Sequence, residues 1–275
     1  MKPVKRRILL VLTVCLAFCL LTGGIPTKRF GMGRPFNMAP FGMVDECDAN
    51  WKPTKIDSLV LWVEGDFPLV TSLTSAALCS IWTDYSGKGN HLTVIAGSGT
   101  TRQPAIVTGA LNGHTGLHFD GVNSYLYRTS ATWADCDSGT IIIITSYTDS
   151  IAAAQYTVAS ASNVYYGVGT SIHRALNNGG TVISNTTHIP SGNPFRKVRL
   201  VYASSDTIFV AGVAIASGDA GTSAWGQFIV GSGTGGGQPS HITVCAIFFY
   251  KNKILASGSP ELAKLNAYIL KRYGL

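Results

Sequence analysis

Gly116-Leu-His-Phe-Asp120 and Ser124-Tyr-Leu-Tyr-Arg128, joined by Gly121-Val-Asn123, are the residues from which the fold is read. Each flank is a short run of aromatic and aliphatic residues, and the three between them are turn formers, so the stretch reads as strand, turn, strand. The same grammar repeats outward. Ser58-Leu-Val-Leu-Trp-Val63 is a first strand, and Thr140-Ile-Ile-Ile-Ile-Thr145 is a continuous apolar run, the signature of a strand covered on both faces. Arg199-Leu-Val-Tyr202 and Thr207-Ile-Phe-Val-Ala211 bracket a polar turn as a hairpin, and Phe228-Ile-Val230 and His241 to Tyr250 complete the set. No alternation of strands with helices appears, which leaves an all-β class.

One helix is expected, at the C-terminal end. Ser259 suits an N-cap, Pro260 the first helical position, and Glu261 the positive helix end. Leu262, Leu265, Ile269 and Tyr273 fall on one stripe, Lys271 and Arg272 sit in the last turn, and Gly274 stops it. Its role is to cover one face of a sandwich.

Charge is unevenly placed. Residues 1–35 hold seven Lys/Arg and no acid, and the remaining 14 basic residues balance 14 acidic ones. A formally neutral body without basic stripes lacks the electrostatic footprint of nucleic-acid binding, so no nucleic acid is expected as partner. Residues 1–24 join a basic start to an apolar run from Ile8 to Leu21, which is short for a membrane span and reads as a signal peptide or hydrophobic anchor. Residues 25–55 form a Phe/Met/Pro/Gly segment with the tandem Pro35-Phe-Asn-Met38 and Pro40-Phe-Gly-Met43, an extended arm on another surface or a linker. Residues 56–275 are the folded domain. Outside the leader stand Cys47, Cys79, Cys136 and Cys245, too far apart for metal knuckles. An exported chain allows one or two disulfides among them; Cys245, in an apolar run, also fits as a small core residue.

Three stretches together resemble the concanavalin A-like lectin/glucanase superfamily, specifically its laminin G-like domains of bacterial surface and phage virion proteins. They are Ile81-Trp-Thr-Asp-Tyr-Ser-Gly-Lys-Gly-Asn-His-Leu92, Leu111 to Leu126, and Phe195 to Gly212 with the closing strand and helix. The resemblance implies an antiparallel two-sheet jelly-roll β-sandwich with one C-terminal helix. It also implies ligand contact at Asp84, Asn90, His91, Asp120 and Asn123, with calcium as the cofactor such domains often hold near the sandwich rim. Read by themselves, Asp84, Ser86, Gly87, Gly89 and Asn90 make an Asx-type turn, and Asp120 holds another. Two positions depart from the family pattern: Ala211-Gly212 stands where Asn-Gly is usual, and Thr243-Val-Cys245 where an acidic residue is usual.

Catalysis finds no foothold. A glucanase of this fold needs carboxylates two apart on one strand face, about 5 Å from each other for retention. Only Glu46, Glu64 and Glu261 are present, and Asp135-Cys-Asp137 sits in turn-like sequence. There is no Gly-x-Ser-x-Gly elbow, and Gly231-Ser-Gly-Thr-Gly-Gly236 lacks the helix a dinucleotide loop requires. His114 and His118 lack a third zinc ligand. Among aromatics near Gly-rich turns, Tyr166 and Trp225 are the candidates for sugar stacking, while Trp62 and Trp82 fit the core. Asn185-Thr-Thr187 is a glycosylation sequon. The reading is a non-catalytic adhesion protein, outside the cell or on a cell or virion surface, that binds a glycan or a protein surface. The rival is an architectural coat or appendage protein, anchored by its arm, in a homo-oligomer or virion assembly.

Overall fold

The structure is a computed structural model that describes residues 50–66, 77–94, 102–129, 136–147, 155–160, 164–168, 174–178, 183–185, 195–202, 205–221, 225–233 and 237–275. The leader, most of the arm, Cys47 and Asp135 lie outside these residues. A 3-10 turn, Pro53–Lys55, precedes the first strand. The strands in chain order are β1 (Leu59–Glu64), β2 (Ile81–Trp82), β3 (Leu92–Thr93), β4 (Ala105–Leu111), β5 (His114–Asp120), β6 (Leu126–Thr129), β7 (Gly139–Tyr147) and β8 (Gln155–Ala159). There follow β9 (Val164–Val168), β10 (Arg174–Asn178), β11 (Ile183–Asn185), β12 (Arg196–Tyr202), β13 (Asp206–Val210), β14 (Val213–Gly218), β15 (Gln227–Val230) and β16 (His241–Lys251). Helix α1 spans Pro260–Tyr273.

The strands form two antiparallel sheets. One runs β14-β13-β12-β7-β16-β5-β4, with β1 also paired to β16; the other runs β11-β10-β9-β8-β15-β6-β3-β2. The all-β sandwich expected from the sequence is what forms. β16 is long enough to serve two partners along one edge: residues 241–244 pair with β5 and residues 246–250 with β1. A bulge between Val244 and Ala246 leaves Cys245 as the extra residue where the partner changes. Gly65 bonds to the Cys245 carbonyl at this junction. Any side chain there would fall on the Thr115 carbonyl, so the close approach requires glycine.

The core has two layers, and β7 belongs to both. Ile141 and Ile143 face the second sheet in a cluster with Leu61, Trp82, Phe228 and Phe249, while Ile142 and Ile144 face α1 with Trp62 and Phe248. This explains the unbroken Ile run, because period-2 alternation needs one polar face and here neither face meets water. The helix is made as its caps dictate. Ser259 Oγ accepts from the Leu262 amide, and Gly274 takes φ 73° while its amide donates to Leu270 O. Leu262, Leu265, Ile269 and Tyr273 are the buried stripe, each worth roughly 1.5–3 kcal/mol of apolar burial. Trp51, from the segment read as linker, packs on Tyr268 of the helix with ring centroids 5.9 Å apart.

Cys79, Cys136 and Cys245 are all free and buried, so no disulfide joins them. Burial pushes their thiols up, to about 11 at Cys79 and about 12 at Cys245, which leaves them unreactive at neutral pH.

Candidate functional site

The motif residues near Asp84 converge on one carboxylate. Asp84 Oδ1 accepts from the amides of Trp62 (2.9 Å) and Ser86 (2.8 Å), and Oδ2 from Ser86 Oγ (2.7 Å) and the Asn90 amide (2.8 Å). Asn90 Nδ2 donates to Val60 O, and the Asp84 amide donates to His91 Nδ1. The loop between β2 and β3 is thereby fastened to β1. Asp84 and Asn90 are buried, and four donors already occupy the two carboxylate oxygens. Filled in this way, Asp84 offers a metal nothing without dismantling the turn.

Asp120 works likewise at the end of β5. Its Oδ1 accepts from the amides of Val122, Asn123 and Ser124 and from Ser124 Oγ. Partial burial alone would raise its pKa, but the Ser124, Val122 and Asn123 amides outweigh it and hold the carboxyl below its ordinary value. Asn123 contributes its backbone amide to this turn. Among the described residues no group of three or more His, Cys, Asp or Glu is placed to hold a metal ion.

Tyr166 and Trp225, the two rings expected to stack on a sugar, are core residues in the structure. Both are 0% exposed. Trp225 stacks on Phe228 at 5.4 Å and meets Tyr202 and Phe249 at 5.9 and 5.8 Å. The sheet-to-sheet interior needs large apolar volume at this end, and indole supplies it. A flexible Gly-rich neighbourhood in sequence does not report on which way the ring turns.

Two side-chain clusters on the outer face of the first sheet escaped the sequence reading. In one, Glu64 is fully buried and accepts at Oε1 from Trp62 Nε1 (2.9 Å) and Tyr268 OH (2.8 Å), while Arg272 Nε lies 2.7 Å from its Oε2. Arg272 also bonds Asp66 Oδ2 at 2.8 Å, and Asp66 in turn meets the His114 ring and the Thr115 amide. Burial pushes the Glu64 carboxyl up against the opposing pull of Arg272. The cluster docks the helix onto β1 and β5.

The other cluster lines a cleft between α1 and the β12–β13 hairpin. Lys197 and Arg199 sit two apart on β12 and so share a face, and Arg199 lies opposite Phe209 across the pair. The cleft encloses about 210 Å³ and is lined by Lys197, Arg199, Phe209, Ser257, Leu262 and Asn266 among others. A second hollow of about 280 Å³ adjoins it, sharing Lys197 and walled by Phe195, Ala211 and Leu275. The sequence signal was present in Arg196-Lys-Val-Arg199, but only the helix packing above it makes a cleft.

No protein-family model matches the chain, and no curated protein matches its sequence. Solved structures do share the fold. The binding domain of Paraclostridial Mosquitocidal Protein 1 superposes with a TM-score of 0.54 at 15% identity, over 79% of this chain and 53% of that one. The sialidase of Trypanosoma rangeli, in complex with sialic acid, gives 0.56 at 15% identity over 79% of this chain and 34% of its own. The binding domain of botulinum neurotoxin DC, in complex with SialylT, gives 0.52 at 12% identity over 77% and 51%. The chain thus spans about half the length of the toxin binding domains and about a third of the sialidase. At these identities the likeness is one of fold, and it includes both an enzyme and binding domains. Among the described residues no helix is long and apolar enough to cross a membrane.

Proposed function

We propose that the sandwich is a non-catalytic binding module, of the laminin G-like kind within the concanavalin A-like superfamily, that attaches an exported or virion-displayed protein to glycans. The observation that carries this reading is the shared fold with two toxin binding domains, one of them in complex with SialylT. Catalysis of the sialidase sort is not part of the proposal, because the likeness takes in only 34% of that enzyme's length. The Glu-poor sequence adds weight: Glu64 is buried in an ion pair, and Glu261 pairs with Lys253 at 2.7 Å, so neither offers the paired carboxylates that glycoside cleavage uses. A glycan array probed with the full chain tests the reading, with saturable binding to a defined set of glycans expected. Binding to none, together with turnover of any arrayed saccharide, overturns it.

A second reading rests on the Phe/Met/Pro tandem of residues 35–43. Side chains of this kind are worth roughly 1.5–3 kcal/mol each when covered, and an arm carrying them can anchor a coat or appendage subunit. Deleting residues 25–49 distinguishes the two: lost self-assembly with a folded body favours the architectural role, whereas unchanged mass and glycan binding favour the module.

A further inference from the structure

We infer that the cleft between α1 and the β12–β13 hairpin is an anion site that takes a single carboxylate or sulfate group, between Lys197 and Arg199. That the group is carried by an acidic saccharide rests on the glycan-binding reading above.

A buried cation, Arg199, and a half-buried one, Lys197, stand side by side with no carboxylate partner. Arg199 is only 6% exposed. Its guanidinium bonds Leu255 O and Ser257 Oγ and lies 3.7 Å over the Phe209 ring, all neutral partners. Lys197 Nζ bonds Asn266 Oδ1 at 2.9 Å, again neutral. Neutral partners satisfy hydrogen bonds but leave the charge uncompensated, which is costly away from water. The single acid of α1, Glu261, is engaged by Lys253. Among the described residues no carboxylate is paired with either cation.

Geometry turns this into a site. Residues two apart on one strand face project side by side, roughly 7 Å apart at their Cα atoms, and both side chains line the same hollow of about 210 Å³. That volume suits a carboxylate or sulfate with part of the unit bearing it. Lys197 keeps two further N–H protons beyond the Asn266 bond, and the first turn of α1 at Leu262 adds the positive end of the helix dipole on one wall. Burial lowers the pKa of both cations, and the Arg199 charge lowers that of Lys197 further. A bound anion relieves each of these costs. Leu262 leaves one wall of the cleft apolar, which fits the C–H surface of a saccharide better than a fully hydrated ion.

The test follows the backbone amides of Gly212 and Gly258, which line the cleft, by NMR on the full chain. The probes are inorganic sulfate, sialyllactose and lactose. Sulfate and sialyllactose should shift both amides saturably and lactose should not. Lys197→Gln should weaken the response about tenfold, the loss of one charge-assisted contact, and Lys197→Arg should retain it. Lys197 is chosen because Arg199 also braces residues 255–257, so its loss confounds folding with binding. No saturable shift with either anion, or a shift unchanged in Lys197→Gln, overturns the site. Saccharide binding that leaves both amides still, with sulfate silent there too, overturns the site while the glycan reading stands. A response to sulfate without one to sialyllactose supports the anion site and removes the saccharide as its source.

Discussion

Arg272 Nε, in the last turn of α1, lies 2.7 Å from Glu64 Oε2 in β1, and the pair ties the C-terminal helix to the first strand. The carboxylate is fully buried and the guanidinium partly so. Removing one member of such a pair strands the other, which is where buried ion pairs exert most of their effect. Arg272→Ala should therefore cost roughly 3 kcal/mol of stability. Glu64→Gln with Arg272→Met should recover most of that loss, since the buried Glu64 charge is gone and Asp66 keeps the His114 ring and the Thr115 amide. Urea unfolding midpoints of the two variants report the difference; equal midpoints for Arg272→Ala and the parent would show the pair to be idle.

Asp84 is expected to behave as a structural brace. Asp84→Ala leaves the buried amides of Trp62 and Asn90 without acceptors, each at about 1–3 kcal/mol. A loss on the order of 3 kcal/mol or more is predicted in thermal or urea unfolding. Millimolar calcium or a chelator should leave the parent's melting temperature in place, because the same oxygens are filled. A calcium-dependent rise that vanishes in Asp84→Ala would show those oxygens to be metal ligands.

Asp120 carries a pH dependence whose sign is set by its turn. Its carboxyl is held below the ordinary 3.8 by amides that bond the charged form. The stabilisation is therefore present above that value and is lost as pH falls through the lower folded-state value. Asp120→Asn should be less stable than the parent at pH 7, and the gap should close as the pH approaches the folded value. Stability measured across this range checks it; a gap that widens on acidification contradicts the account.

Ala211 adopts φ 49° and Gly212 φ 85° in the turn joining β13 to β14. Both central residues of this turn thus occupy the left-handed region, which costs Ala more than Asn. Ala211→Asn, which gives the Asn-Gly pair that such two-residue turns favour, should stabilise the domain by about 0.5–1 kcal/mol. A lower melting temperature for the variant would mean the turn is shaped by its neighbours and not by its own propensity.

What the sequence determined by itself was everything local. The caps at Ser259 and Gly274, the apolar run Ile141–Ile144 and the turns at Asp84 and Asp120 follow from neighbours within a few residues, where side chains meet backbone groups whatever the rest of the chain does. Only the tertiary structure decided where sheet faces meet. Trp225 turns inward because Phe228, Phe249 and Tyr202 leave space for it there. Arg272 and Asp66 meet across 206 residues of sequence, and Lys197 and Arg199 become a cleft only when α1 closes over β12. Hydrogen-bond and dihedral preferences act at short range and can be read along the chain, whereas burial and charge compensation depend on which distant surfaces pack together.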